Sequence, residues 1–211
     1  MALNRLYFIT GDEAPLEQIE AACGAGVRLI QLRMKAASDE EFQAIAGKAM
    51  EICGWWGSKL IVNDRVAVAA AVDADGVHVG KEDLPVREAR RILGAGKIVG
   101  GTANTAEDIR KHCEGGADYI GLGPYRFTAT KKKLSPILGL EGYWRVMSAL
   151  QAEGISVPVF AIGGIGAADV GPLLCAGVYG VAFSGMLAGS ADKASLVKEL
   201  ESEIHKKIAS C

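Results

Sequence analysis

Eight short apolar runs, each followed by a longer amphipathic stretch, predict an α/β fold closed into one compact (β/α)8 TIM barrel spanning residues 1–211. Two further observations favour that class. Several apolar runs are continuous rather than alternating, as in strands covered on both faces. Strict strand–helix order also implies parallel strands with right-handed crossovers. An open doubly wound sheet is the competitor. Its dinucleotide-binding version needs G-x-G-x-x-G after the first strand, and the chain there reads Leu6-Tyr7-Phe8-Ile9-Thr10-Gly11-Asp12-Glu13.

The elements follow in order. Strands are expected at 6–10, 28–33, 59–63, 76–80, 97–102, 119–123, 157–163 and 180–184, where β-branched and apolar residues cluster between glycines and polar residues. Helices are expected at 16–23, 39–53, 65–72, 86–93, 106–114, 143–153, 168–175 and 191–208, where apolar residues recur at helical spacing. Ser38 and Glu41 form a capping box for the second helix, and Pro15 and Pro85 each precede a helix start. The 27 glycines lie singly and in pairs, so they are read mainly as joints, with pairs such as Gly24/Gly26 and Gly94/Gly96 closing helices.

Composition narrows the function classes. The 23 basic and 25 acidic side chains leave a net charge of −2, without the basic excess of a nucleic-acid binder. No apolar run approaches the ~20 residues of a membrane span, and the start lacks a signal peptide, so a cytoplasmic protein is expected. The five cysteines are scattered, and four sit among Ala, Ile and Gly as reduced, buried thiols would. The run Ala67–Val72 fits core or a homodimer contact, and core is preferred.

In this fold chemistry belongs at the C-terminal strand ends. Strand two ends Gln31-Leu32-Arg33-Met34-Lys35, and the period of two puts Gln31, Arg33 and Lys35 on one face, suited to an anion. Strand three ends Asn63-Asp64-Arg65, where Asp64 is either a helix N-cap or a ligand. Strand four ends in Lys81-Glu82-Asp83, and its His78 reads as a hydrogen-bonded core histidine. Carboxylates at adjacent strand ends, facing a basic strand two, point to Mg²⁺, which takes one or two carboxylates plus water and phosphate. Strand six runs into Thr128-Ala129-Thr130-Lys131, a candidate lid with two hydroxyls and an ammonium. Gly163-Gly164 after strand seven and Ser184-Gly185 after strand eight match the backbone phosphate cradle of such barrels. Together these features imply an enzyme acting on two phosphorylated groups, one a metal-bound diphosphate.

The ordered motifs resemble the thiamine phosphate synthase family. They are the Leu6–Thr10 start, Gln31-Leu32-Arg33-x-Lys35, Val62-Asn63-Asp64, His78-x-Gly80-x-x-Asp83, Asp118-Tyr119-Ile120-Gly121-x-Gly123-Pro124, Thr128-x-Thr130-Lys131 and Ala161-Ile162-Gly163-Gly164-Ile165. The resemblance implies condensation of hydroxymethylpyrimidine diphosphate with thiazole phosphate to give thiamine phosphate and pyrophosphate. It implies that Gln31, Arg33, Lys35, Asn63, Thr102 and Lys131 hold the pyrimidine diphosphate. Asp64 and Asp83 would hold Mg²⁺. Thr128, Thr130, Gly164, Ser184 and Gly185 would receive the thiazole phosphate. Arg33, Lys35 and Lys131 would stabilise the departing diphosphate. The chain departs from the family pattern at Met34 (usually Glu), Lys81 (often Gln), Thr102 (Ser) and Asn104 (commonly His), and Ser184-Gly185 is shifted by one place. The rivals are a thiazole tautomerase on the same barrel, which needs a histidine base that Asn104 does not supply, and a non-catalytic phosphate-ligand binder.

Overall fold

The computed structural model describes residues 3–127 and 136–210. Eight parallel strands close a barrel in the order β1-β2-β3-β4-β5-β6-β7-β8, with β1 also paired to β8. They are β1 (Leu6–Ile9), β2 (Leu29–Leu32), β3 (Lys59–Asn63), β4 (Gly76–Val79), β5 (Ile98–Ala103), β6 (Tyr119–Leu122), β7 (Val159–Ala161) and β8 (Gly180–Phe183). Each lies inside or within a residue of its expected span. The helices are α1 (Pro15–Gly24), α2 (Asp39–Trp56), α3 (Val66–Ala71), α4 (Val86–Leu93), α5 (Ala106–Glu114), α6 (Gly139–Ala152), α7 (Val170–Cys175), α8 (Gly185–Ala188) and α9 (Lys193–Ser210). Among the described residues no helix is long and apolar enough to cross a membrane.

Local chemistry explains the ends of these elements. Ser38 and Glu41 close the capping box expected for α2, a device that stabilises a helix by about 1 kcal/mol. Thr105 and Asp108 make a second box at α5. Three features depart from expectation. α6 begins four residues before the predicted 143, because Leu138 and Leu140 pack on the core and carry the Gly139–Gly142 turn into the helix. The seventh helix is preceded by a 3-10 turn, Ala167–Asp169, and α8 is a single extra turn directly after β8.

Two apolar layers result. The outer one lies between strands and helices and includes Phe8, Ile30, Leu32, Phe42, Leu60, Val62, Ile120 and Leu122. The inner one fills the barrel with Tyr7, Leu29, Ile61, Tyr119, Phe160 and Ala182. Tyr7, Tyr119 and Phe160 meet edge-on, with ring centroids 5.5–5.6 Å apart, the arrangement that ring quadrupoles favour.

Not all glycines are joints. Gly100 and Gly121 lie inside strands, where a Cβ on Gly100 would fall 2.2 Å from the Tyr119 ring and one on Gly121 3.0 Å from His78. Those two positions give up side chains so that a large ring and an imidazole can occupy the barrel axis. The cysteines also divide. Cys23 and Cys53 are buried and free as expected and Cys113 is half-buried, but Cys175 is disulfide-bonded rather than a reduced thiol. At the pole where strands begin, residues 3–6 share a shallow cleft with Tyr179 and with Glu201, Ile204 and His205 of α9. Arg5 spans that cleft, donating to the Tyr179 carbonyl at 2.6 Å and stacking on its ring.

Candidate active site

The opposite pole, where the strands end, carries the charged residues. Strand β2 delivers Gln31 inward and fully buried, then Arg33, which remains 8% exposed. Thr10 at the end of β1 fixes that segment, since its hydroxyl accepts from Arg33 N at 2.9 Å and donates to Arg33 O at 3.2 Å. Asp12 accepts from Lys35 N at 2.7 Å. Burial lowers the pKa of the Arg33 guanidinium, and the neighbouring carboxylates Asp12 and Asp64 oppose that shift. A desolvated cation is thereby held between two anions.

Strand β3 ends in buried Asn63 and then Asp64, whose φ of 63° lies in the left-handed region that non-glycine residues seldom adopt. Asp64 N donates to His78 O at 2.8 Å and so ties the β3 and β4 ends together. The N-cap position of α3 is Arg65, with no side-chain cap, so the capping role considered for Asp64 does not occur. Its carboxylate turns instead toward Asp83. Burial raises Asp64 to about 6, and a hydrogen bond and repulsion from Asp83 add to this, against the pull of Asn63 and Lys35. Asp83 folds back over Gly80, accepting from Gly80 N at 2.8 Å, and a Cβ on Gly80 would meet both carboxylates.

The two aspartates therefore share one small volume with Lys35 and Arg33 alongside. Among the described residues no group of three or more His, Cys, Asp or Glu converges. Two carboxylates are nonetheless the complement that Mg²⁺ takes when water and a phosphate complete its shell, and their mutual repulsion is what a cation would relieve. The donor set fits the ion.

On the β5 side, buried Thr102 is held twice. Its hydroxyl lies 2.9 Å from His78 Nε2, and its carbonyl accepts from His112 Nε2 at 2.9 Å. Asn104 donates from its amide to Gly123 O, and Lys81 pairs with Asp108 at 2.6 Å. Both departures from the family pattern are thus occupied in bracing the β4–β5–β6 rim. On the other side Gly163 and Gly164 follow β7 with φ of 89° and 71°. A Cβ on Gly164 would lie 2.9 Å from the Arg126 Cβ, so that backbone can approach only as glycine. Ser184 and Gly185 follow β8, and Gly185 opens α8. Thr128, Thr130 and Lys131 lie outside the described residues.

Four structural supports were not among the expected site residues. Thr10 and Asp12 stand at the polar end of β1, where they hold the backbone of Arg33 and Lys35. Arg65, next to Asp64, donates to Asp39 at 2.7 Å, Met34 O at 3.1 Å and Ala37 O at 2.6 Å, locking the loop that carries Lys35. Asp169 accepts both arms of Arg126.

A closed parallel barrel with paired carboxylates, a buried arginine beside an exposed lysine, and glycine turns at the strand ends has the architecture of the (β/α)8 enzymes. Residues 6–187 match the family model described as thiamine monophosphate synthase, and the chain belongs to that family. It is 46% identical over 200 residues to a thiamine-phosphate synthase of Bacteroides fragilis, covering 95% of this chain and 98% of that one. It is 41% identical over 208 residues to a thiamine-phosphate synthase of Flavobacterium johnsoniae, covering 97% and 98% respectively. Among solved structures, a thiamine phosphate pyrophosphorylase from Pyrococcus furiosus superposes with a TM-score of 0.83 at 31% identity, covering 97% of this chain and 96% of that one.

Proposed function

We propose that the chain is a thiamine phosphate synthase that joins hydroxymethylpyrimidine diphosphate to thiazole phosphate and releases pyrophosphate. The observation that carries this reading is the convergence of Asp64 and Asp83 with Arg33 and Lys35 on one strand-end cluster. A single phosphate would need neither a carboxylate pair nor two cations beside it. A diphosphate with Mg²⁺ needs both.

In this reading Asp64 and Asp83 would hold Mg²⁺, which supplies charge stabilisation to a departing diphosphate. The chain's own residues do the rest. Arg33, Lys35 and Lys131 bind the diphosphate oxygens and offset the charge that grows as the C–O bond lengthens. Arg33 is already desolvated and pinned by its backbone to Thr10, so little reorganisation is required of it. Gln31, Asn63 and Thr102 orient the pyrimidine over the barrel. Thr128, Thr130, Gly164, Ser184 and Gly185 receive the thiazole phosphate, whose ring nitrogen captures the pyrimidinylmethyl cation. No strong base is called for, which agrees with a mouth whose Thr102 contacts are histidines already engaged in hydrogen bonds.

The tautomerase reading requires a base near Asn104. An amide spent on Gly123 O cannot serve as one. The deciding experiment supplies both substrates to the purified protein with and without Mg²⁺, beside a tautomerase assay on the same sample. Mg²⁺-dependent thiamine phosphate formation is expected. Tautomerase turnover without thiamine phosphate would overturn the reading.

A further inference from the structure

A continuous file of hydrogen bonds runs through the barrel interior beneath the charged cluster. Gln31 Nε2 donates to Tyr7 Oη at 2.6 Å. Tyr7 Oη lies 2.8 Å from Tyr119 Oη, which lies 3.1 Å from His78 Nδ1. His78 Nε2 lies 2.9 Å from the Thr102 hydroxyl. The file begins and ends at the mouth, at Gln31 and Thr102, and passes through three side chains that lie below it. Its members come from β2, β1, β6, β4 and β5, so no short sequence motif encodes it. All five are buried, and no buried side-chain polar atom among the described residues lacks a partner.

We infer that this file is polarised from Gln31 and fixes Thr102 as a hydrogen-bond donor into the active site, with His78 and Tyr119 as positioning residues. The inference rests on the synthase reading only for the identity of the group that Thr102 meets. An amide nitrogen can only donate, so Tyr7 Oη accepts from Gln31. The single Tyr7 proton then goes to Tyr119 Oη, its remaining partner. The single Tyr119 proton goes to His78 Nδ1. An imidazole that accepts at Nδ1 carries its proton on Nε2 and donates it to Thr102 Oγ1. With that lone pair filled, the Thr102 hydroxyl proton is left to point out of the file, toward the mouth. Burial keeps both tyrosines protonated, since it raises the pKa of each well above the ordinary value. The stacked His78 and Tyr119 rings, with centroids 5.5 Å apart, occupy the space released by Gly100 and Gly121. The room is made for this geometry.

The test combines ¹⁵N NMR of the imidazoles with steady-state kinetics on the full chain. The sequence has 3 histidines, and His112→Asn and His205→Asn identify the two signals that are not His78. The wild type should show His78 as the Nε2–H tautomer without any substrate. Tyr119→Phe keeps the ring and removes the hydroxyl. It should mix the two tautomers and lower kcat about tenfold, the loss that one well-placed hydrogen bond carries, with KM for thiazole phosphate unchanged. An Nδ1–H tautomer in the wild type would overturn the inference. So would Tyr119→Phe with unchanged kcat, or a lowered kcat with the tautomer intact. The NMR measurement needs no turnover, so failure of the synthase assay and failure of the relay are separate results.

Discussion

Arg126 and Asp169 tie the chain leaving β6 to the turn that follows β7. Both guanidinium arms reach the carboxylate, one at 2.6 Å, and the same carboxylate accepts from Gly166 N at 2.8 Å. Backbone bonds from Tyr125 N to Ile162 O and from Arg126 N to Gly163 O, each 2.9 Å, extend the β6–β7 pairing beyond the sheet. Arg126 also lies over the Tyr125 ring at 4.5 Å.

The hydrogen bond from Arg126 holds Asp169 below the ordinary carboxylate range, against its partial burial. A lowered folded pKa stabilises the fold above the unfolded value of ~3.9, and that stabilisation is lost as pH falls through the folded value. Asp169→Asn should therefore lower Tm by about 2–4 °C near neutral pH. The difference from wild type should shrink below about pH 4. Thermal melts across that range decide the matter, and a gap that grows in acid would refute it.

Removing one member of the carboxylate pair should separate chemistry from binding. Asp64→Asn and Asp83→Asn should each cut turnover on the order of 100-fold or more while sparing thiazole phosphate affinity. Chelation of Mg²⁺ should reproduce the kinetic loss in the wild type. Calorimetry with thiazole phosphate, run beside the kinetics, would expose the assignment as wrong if both quantities fell together.

Gly100→Ala drives a methyl group to within 2.2 Å of the Tyr119 ring. Overpacking at a closed barrel axis should cost about 3 kcal/mol, visible as a lower urea midpoint with an unchanged slope. Gly47→Ala makes the control. Its Cβ would meet nothing within 4 Å, and in α2 it should be neutral or stabilising by up to about 1 kcal/mol. Equal midpoints for the two variants would contradict this account of the barrel axis.

Thr102→Ser retains the hydroxyl and should keep most of the activity. Thr102→Val removes it at similar volume and should lower kcat about tenfold or more. Turnover preserved in the valine variant would show that the hydroxyl does not reach the substrate.

Much of the barrel was legible in the sequence because its signals are local. Continuous apolar runs such as Leu60–Val62 mark strands covered on both faces, and Ser38 with Glu41 announces α2 within four residues. The mouth residues Gln31, Arg33, Asn63 and Asp64 were legible for a similar reason, since polar side chains at the end of an apolar strand stand out. What escaped is non-local. Gly100 and Gly121 look like any strand-breaking glycine until the Tyr119 ring and His78 from neighbouring strands are set against them. Tyr7 and Tyr119 sit inside apolar strand segments, and only the closed register reveals that their hydroxyls meet. Thr10 and Asp12 hold the backbone of Arg33 and Lys35, just beyond β2, so residue type alone gave no cue. α8 is one turn long, below the length at which periodicity can be read.

The cleft shared by residues 3–6 and the Glu201–His205 stretch of α9 has a practical consequence. Residues 3–6 and the 201–205 stretch of α9 come together at the pole where the strands begin, opposite the strand-end cluster of Arg33, Asp64 and Asp83. A surface tether or reporter attached at that cleft would leave the opposite pole, with Arg33, Asp64 and Asp83, facing solvent.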